Sequence, residues 1–289
     1  MLSNHPLHRE VEVALAAARE AVDAIMAIHD AVGEHRTELG VVEKANNLGP
    51  VTAADRAANA IIVRHVRAAF PEDGVLAEES ADDGGRLVAS RFWCIDPVDG
   101  TKEFIARNGE FSVMIGLVDR STGRPLLGVV VEPVNDLVMV AVLGGGAWRV
   151  HRDGREEALR VSDRSEASRV RIIVSRSHPD PQTQTVVKLM EPESLTPCGS
   201  VGVKIGRIVQ DRADVYLNFS GYTRFWDTCA PDIILHEAGG RLTTLEGAVL
   251  DYSAASTVNE VPYVASNGAC HALLVEHSRE AQARYEARR

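Results

Sequence analysis

Apolar side chains at Leu7, Val11, Leu15, Ala18, Val22 and Ile25 recur every three or four residues. That spacing predicts one long amphipathic helix over 7–31. From 33 to 50, GEHRTELGVVEKANNLGP, the pattern stops; charge, Asn and Gly predict a long loop. Helical spacing resumes after Thr52, a residue suited to capping, with Asp55 three positions on to complete a reciprocal cap. Pro71 ends this second helix. Short Val-rich runs follow at 75–78, 91–96, 111–119, 126–133 and 137–143, joined by turn residues, and predict a largely antiparallel meander. The glycines at 144–146 break it.

The second half alternates strand and helix. Strands are predicted at 170–175, 214–219 and 262–267, and helices over 182–190, 201–211, 228–239 and from Ala269 to the end. No internal repeat or low-complexity tract interrupts this order. The pattern predicts a layered α/β (α+β) protein of two subdomains, 1–160 and 161–289, with the boundary inside 155–165.

Composition narrows the class of partner. The 289 residues are 45% hydrophobic, enough for a large core, and the formal net charge is −10. An acidic surface opposes binding to a nucleic acid polymer, which requires a basic face. It leaves open a small anionic substrate held by a metal or a local basic cluster. Cys94, Cys198, Cys229 and Cys270 are scattered without a C-x-x-C pair and are read as buried thiols of a reducing compartment. The N-terminus has no charged-then-apolar leader, and no run approaches the roughly 18 apolar residues of a membrane span. No membrane partner and a cytoplasmic location are expected.

The candidate chemistry begins at WCIDPVDGT (93–101). Pro97 pushes Asp96 away from helical geometry. Asp96 and Asp99 then flank a Val98 carbonyl. Gly100 lets backbone approach a ligand, and Thr101 opens a short helix whose free N–H groups favour an anion. Carboxylates, a carbonyl and a phosphate-friendly helix start form the oxygen-rich set that magnesium takes. Alone, D-P-x-D-G is equally a turn. Glu78 and Glu79 in AEES, Asp227 in FWDTCAP and Asp55 in TAAD each also have an ordinary reading, as solvated or capping residues.

AEES, IDPVDGTKEF and WDTCAPDIILHEAGG, in that order and spacing, resemble the lithium-sensitive, magnesium-dependent phosphatase family, which includes the inositol monophosphatases and the 3′(2′),5′-bisphosphate nucleotidases. The resemblance runs from the Thr52–Asp55 helix to the final strand. It implies an α-β-α-β-α sandwich, two or three magnesium ions per active site, and inhibition by lithium and calcium. It also implies roles. Glu78, Asp96 and the Val98 carbonyl would hold a first metal; Asp96, Asp99 and Asp227 would hold a second. Thr101, hydrogen-bonded to Asp55, would orient and help deprotonate the attacking water, and Glu78 joins this catalytic set. The N–H groups of Gly100 and Thr101 would hold the phosphate.

Within that family GTKEF (100–104) is similar to the bisphosphate nucleotidases, and SRSH (175–178) resembles their nucleotide-reaching segment. Ser175, His178, Gly202 and Lys204 of GSVGVK, and Arg224 are the resulting substrate contacts. The expected reaction is hydrolysis of 3′-phosphoadenosine 5′-phosphate to AMP and phosphate. An inositol or sugar monophosphatase is the alternative within the same chemistry, and a non-catalytic anion- or metal-binding protein the alternative outside it. A homodimer is compatible with the resemblance. The 33–50 loop is expected to close on the site and bring an acidic group such as Glu43 to a metal.

Overall fold

The computed structural model describes residues 2–32, 39–44 and 49–288. Two long helices, α1 (His8–Val32) and α2 (Ala53–Ala69), form the first layer. The cap expected at Thr52 is present. Its hydroxyl accepts from the N–H groups of Ala54 and Asp55, and Asp55 Oδ2 accepts the Thr52 N–H at 2.8 Å. Ahead of it, β1 (Val42–Glu43) and β2 (Pro50–Val51) pair antiparallel, so the region read as loop carries a short ladder. The rest of the loop reading, 33–38 and 45–48, lies outside the described residues.

The second layer is a seven-stranded sheet in chain order: β3 (Gly74–Ala77), β4 (Arg91–Asp99), β5 (Ser112–Asp119), β6 (Arg124–Glu132), β7 (Leu137–Val142), β8 (Gly146–Val150) and β9 (Glu156–Ala158). Only the β3–β4 pair is parallel. The meander therefore continues past the glycines at 144–146, which turn the chain without ending the sheet. Between β4 and β5 stands α3 (Thr101–Ala106).

Strand alternation builds a core on each face of this sheet. Trp93, Ile95, Val113, Ile115 and Val129 face α1 and α2, where Ala17, Ala21, Ala58 and Ile62 let the helices approach closely. Phe92, Cys94, Met114, Val130 and Met139 face the other way, onto the third layer of α5 (Val201–Val209) and α6 (Phe225–Glu237). Beyond lies a five-stranded sheet ordered β11-β10-β12-β14-β13, from β10 (Arg171–Ser175), β11 (Ser194–Cys198), β12 (Val215–Asn218), β13 (Arg241–Thr244) and β14 (Tyr263–Ser266). The outermost layer is α4 (Pro181–Met190) and α7 (His271–Glu286), packed through Val186, Met190 and Leu274. This is the expected five-layer α-β-α-β-α arrangement. All four cysteines are buried free thiols. Among the described residues no helix is long and apolar enough to cross a membrane.

The central helix needs a flat bed. Gly116 and Gly128 are cross-strand partners beneath α6. A Cβ at Gly116 would meet Cys229 Sγ at 2.5 Å, and one at Gly128 would meet the Ala230 carbonyl at 2.5 Å. Backbone there cannot yield as a side chain does. Gly128→Ala is therefore expected to destabilise the fold by roughly 1–3 kcal/mol, the usual cost of overpacking. Urea denaturation checks this, and an unchanged midpoint would show that α6 is not seated as described.

Candidate active site

Three chain segments meet at one place. Glu78 follows the C-terminal end of β3, and Asp96 and Asp99 close the neighbouring β4. The strand read as ending at Asp96 runs on to Asp99, with its pairing to β5 interrupted between the two aspartates. That irregularity re-aims both carboxylates. Asp227 arrives from the start of α6, which begins at Phe225, three residues earlier than expected. Asp227 is thus inside the first turn, where its carboxylate accepts the Arg224 N–H at 2.6 Å. Asp96, Asp99 and Asp227 each bring a carboxylate oxygen within 4.8 Å of the others, in a group with the composition of a metal site. Glu78 stands outside that trio but close enough for its charge to act on Asp96 and Asp227.

So much negative charge in a partly buried place raises the carboxyl pKa values. Burial, then the charges of Glu78, Asp99 and Asp227, pushes Asp96 well above the usual range. Burial and the Asp99 and Glu78 charges do the same to Asp227. Burial raises Asp99, against the pull of Lys204, the Ser200 hydroxyl and the Gly202 N–H. Burial also raises Glu78, with Lys44 opposing. Carboxylates that repel one another in low dielectric are the donor set a divalent cation fits.

The chain supplies one cation here itself. Lys44 Nζ lies 2.7 Å from Glu78 Oε1 and also pairs with Glu79. Burial works against its charge, yet the two glutamates hold the ammonium above its ordinary range. The segment after α1 does reach the site, but through Lys44; Glu43 is exposed on β1. Sequence reasoning missed Lys44, whose only signal was its place in a polar stretch.

Behind the trio, Thr101 Oγ donates within reach of Asp55 Oδ1 at 3.0 Å and the Val98 carbonyl at 3.2 Å. Asp55 is fully buried and its other oxygen is engaged by the Thr52 N–H and hydroxyl. The pair expected from the sequence is thus in hydrogen-bond contact. Gly100, at φ 93°, makes the turn between β4 and Thr101, and a Cβ there would meet the Glu110 carbonyl at 2.9 Å.

These groups form one wall of a cavity of about 820 Å³. Ser175, His178, Lys204 and Arg224 line it, together with Lys102, Glu103 and Ser177. The two sequence signatures meet here: Lys102 Nζ donates to His178 Nε2 at 3.1 Å, and the Ser177 hydroxyl donates to Glu103 Oε1 at 2.5 Å. Burial and the Lys102 charge lower the His178 pKa, so the ring accepts as a neutral imidazole. Lys204 is 3% exposed, over the Tyr216 ring and bonded to the Gly199 and Ser200 carbonyls.

One expectation is corrected. The sequence puts Gly202, at the N-terminus of α5, among the substrate contacts. Asp99 Oδ2 already takes that position, accepting the Gly202 N–H at 3.0 Å and the Ser200 hydroxyl. Gly202 does not line the cavity; a Cβ there would strike Ser112 Oγ and Met114 Sδ. Its glycine allows α5 to close on β5.

The inositol monophosphatase family model matches residues 8–283. This chain belongs to the inositol monophosphatase family. The 3′(2′),5′-bisphosphate nucleotidase CysQ of Escherichia coli (strain K12) is 38% identical over 239 residues, 82% of this chain and 91% of the relative. The 3′-phosphoadenosine 5′-phosphate phosphatase of Mycobacterium leprae (strain TN) is 32% identical over 246 residues, 85% of this chain and 87% of the relative. Among solved structures, that of CysQ from Bacteroides thetaiotaomicron superposes with TM-score 0.74 at 31% identity, covering 90% of this chain and 97% of that one. An inositol monophosphatase from Anabaena gives TM-score 0.77 at 26% identity, covering 96% and 97%.

The crowding of carboxylates predicts a stability signature. In chelator at neutral pH, Asp96→Asn is expected to melt above the parent, by about 2–4 °C for each kcal/mol of repulsion relieved. Magnesium should raise the melting temperature of the parent, by about 2.7 kcal/mol of stabilisation at a hundredfold excess over Kd, and leave the variant little changed. Thermal melts with and without magnesium check both, and a variant that melts lower in chelator would refute the account of the cluster.

Proposed function

We propose that this protein hydrolyses the 3′-phosphate of 3′-phosphoadenosine 5′-phosphate, giving AMP and phosphate, with magnesium as cofactor. One observation carries the choice of substrate. The cavity that holds the acidic trio is also lined by Lys102, Ser177, His178 and Lys204, a polar and cationic set that suits an anionic nucleotide with two phosphate-bearing ends. The names of the relatives from Escherichia coli and Mycobacterium leprae support the same reading.

The donor set fits the metal. Glu78, Asp96 and the Val98 carbonyl would hold one ion, and Asp96, Asp99 and Asp227 another, with room in the family pattern for a third. Bound magnesium supplies charge neutralisation at the phosphate, a water of lowered pKa and a stabilised leaving oxygen. The chain supplies the rest. Thr101 accepts a proton from the attacking water as its own hydroxyl proton passes to Asp55 Oδ1, 3.0 Å away. Thr52 fixes the other Asp55 oxygen, so the lone pair meeting Thr101 is set in advance. The N–H groups of Gly100 and Thr101 hold the phosphate oxygens in line. Asp99 and Asp227 are tethered by the N-terminal N–H groups of α5 and α6, so neither has to reorganise during turnover. Lys102, His178, Lys204 and Arg224 receive the 5′-phosphate end of the nucleotide. Lys44 pairs with Glu78 and Glu79 and closes the acidic side of the cavity.

Two measurements test this reading. A phosphate-release assay is expected to favour 3′-phosphoadenosine 5′-phosphate over inositol 1-phosphate; a tenfold preference for the inositol ester would reject the substrate. Thr101→Val removes the proton carrier while keeping the shape. It is expected to lower kcat by about 10²–10⁴-fold, the range of general acid–base catalysis, with little change in KM. Full turnover by that variant would remove Thr101 from the reaction.

A further inference from the structure

Arg176 stands between Ser175 and Ser177, yet it does not line the cavity that they do. Its guanidinium is held outside by Glu110. Oε2 accepts from Arg176 Nε at 2.8 Å and Oε1 from Nη2 at 2.6 Å, a two-pronged fork. Oε2 also accepts the Gly199 N–H at 2.8 Å. Arg176 completes the clasp through Nη2 to the Pro197 carbonyl at 2.9 Å and its own N–H to the Cys198 carbonyl at 3.0 Å. Burial works against the Glu110 charge, but Arg176 and the Gly199 N–H hold its carboxyl below the usual range.

The two cavity walls both close on this residue. Glu110 lies just before β5 of the seven-stranded sheet, while Arg176 and Gly199 follow β10 and β11 of the five-stranded sheet. The Glu110 carbonyl would be 2.9 Å from a Cβ at Gly100 and 2.9 Å from one at Gly199. Gly100 belongs to the acidic wall, and Gly199 leads to Lys204 on the other. A single residue therefore touches the backbone of both walls and fastens them with a charged fork.

We propose that Glu110 is a positioning residue for substrate selectivity: by clasping Arg176 and Gly199 it sets the separation between the acidic wall and the wall of Ser175, His178 and Lys204. This rests on the bisphosphate reading above. A substrate with two phosphates must span that separation, whereas an ester with one phosphate needs only the acidic wall. Loss of the clasp weakens the first kind of binding and spares the second.

The test compares Glu110→Gln, Arg176→Gln and the double variant with the parent, using 3′-phosphoadenosine 5′-phosphate and 3′-AMP, which carries the same reacting ester without the 5′-phosphate. The expected result is a KM for the bisphosphate raised about tenfold in each single variant, with kcat and the KM for 3′-AMP within about twofold of the parent. The double variant should be no worse than the more impaired single one, because the fork between Glu110 and Arg176 is already lost in each, and Glu110→Asp should recover part of the loss. A merely structural role would instead lower the melting temperature and impair both substrates in parallel, and that outcome, or additive losses, or no change, overturns the proposal. If Glu110→Gln does not fold, Arg176→Lys, which keeps the charge and loses the fork, is read by the same criteria. A parent that does not hydrolyse the bisphosphate refutes the function and this role with it; a parent that does, with an unchanged substrate ratio in the variants, refutes only the role of Glu110.

Discussion

Gathering carboxylates in one partly buried place is the constraint that organises this molecule. Asp96, Asp99 and Asp227 repel one another, with Glu78 adding to the field. The fold tolerates them because two helices of the central layer point their N-termini at the cluster. α5 gives Asp99 an N–H and a hydroxyl, and α6 gives Asp227 the Arg224 N–H. Backbone donors at a helix start stabilise negative charge without adding a mobile cation. Remaining repulsion is what a divalent ion would relieve, so the same charge that costs stability would provide affinity for metal.

The layered architecture follows from that need. For α5 and α6 to address the ends of β4, they must lie flat on the seven-stranded sheet, and the glycines at 116 and 128 remove the side chains that would lift α6 away. The second sheet covers those helices and brings its own strand ends to the opposite wall of the cavity. The acidic residues thus sit at the end of β4, just past β3 and in the first turn of α6, while Ser175, Ser177 and His178 come from the end of β10 and the loop that follows it. Contacts such as Lys102 with His178, Ser177 with Glu103 and Glu110 with Arg176 join the two across the gap.

Much of the fold was legible because local physics was strong. Apolar periodicity marked α1, Thr52 with Asp55 marked the start of α2, and Val-rich runs marked β5 to β7. Elements missed were short or atypical. β11 (SLTPC) is mostly exposed and contains proline, and β13 is four residues of mixed character. β8 begins at a glycine read as a terminator. The start of α6 was misplaced because its first two residues are aromatic and Asp227 satisfies the cap from within the helix.

The sequence by itself determined the long helices and Val-rich strands, the Thr52–Asp55 cap and the acidic residues around D-P-x-D-G, since each depends on neighbours within a few positions. Only the tertiary structure decided which carboxylates face one another, and that Lys44 reaches Glu78 and Glu79. It also decided that Asp99 rather than a ligand occupies the start of α5, which left Gly202 with a packing role. Those outcomes depend on residues separated by tens to more than a hundred positions. Coulomb energy and burial are functions of distance in space, and spacing along the chain does not encode it.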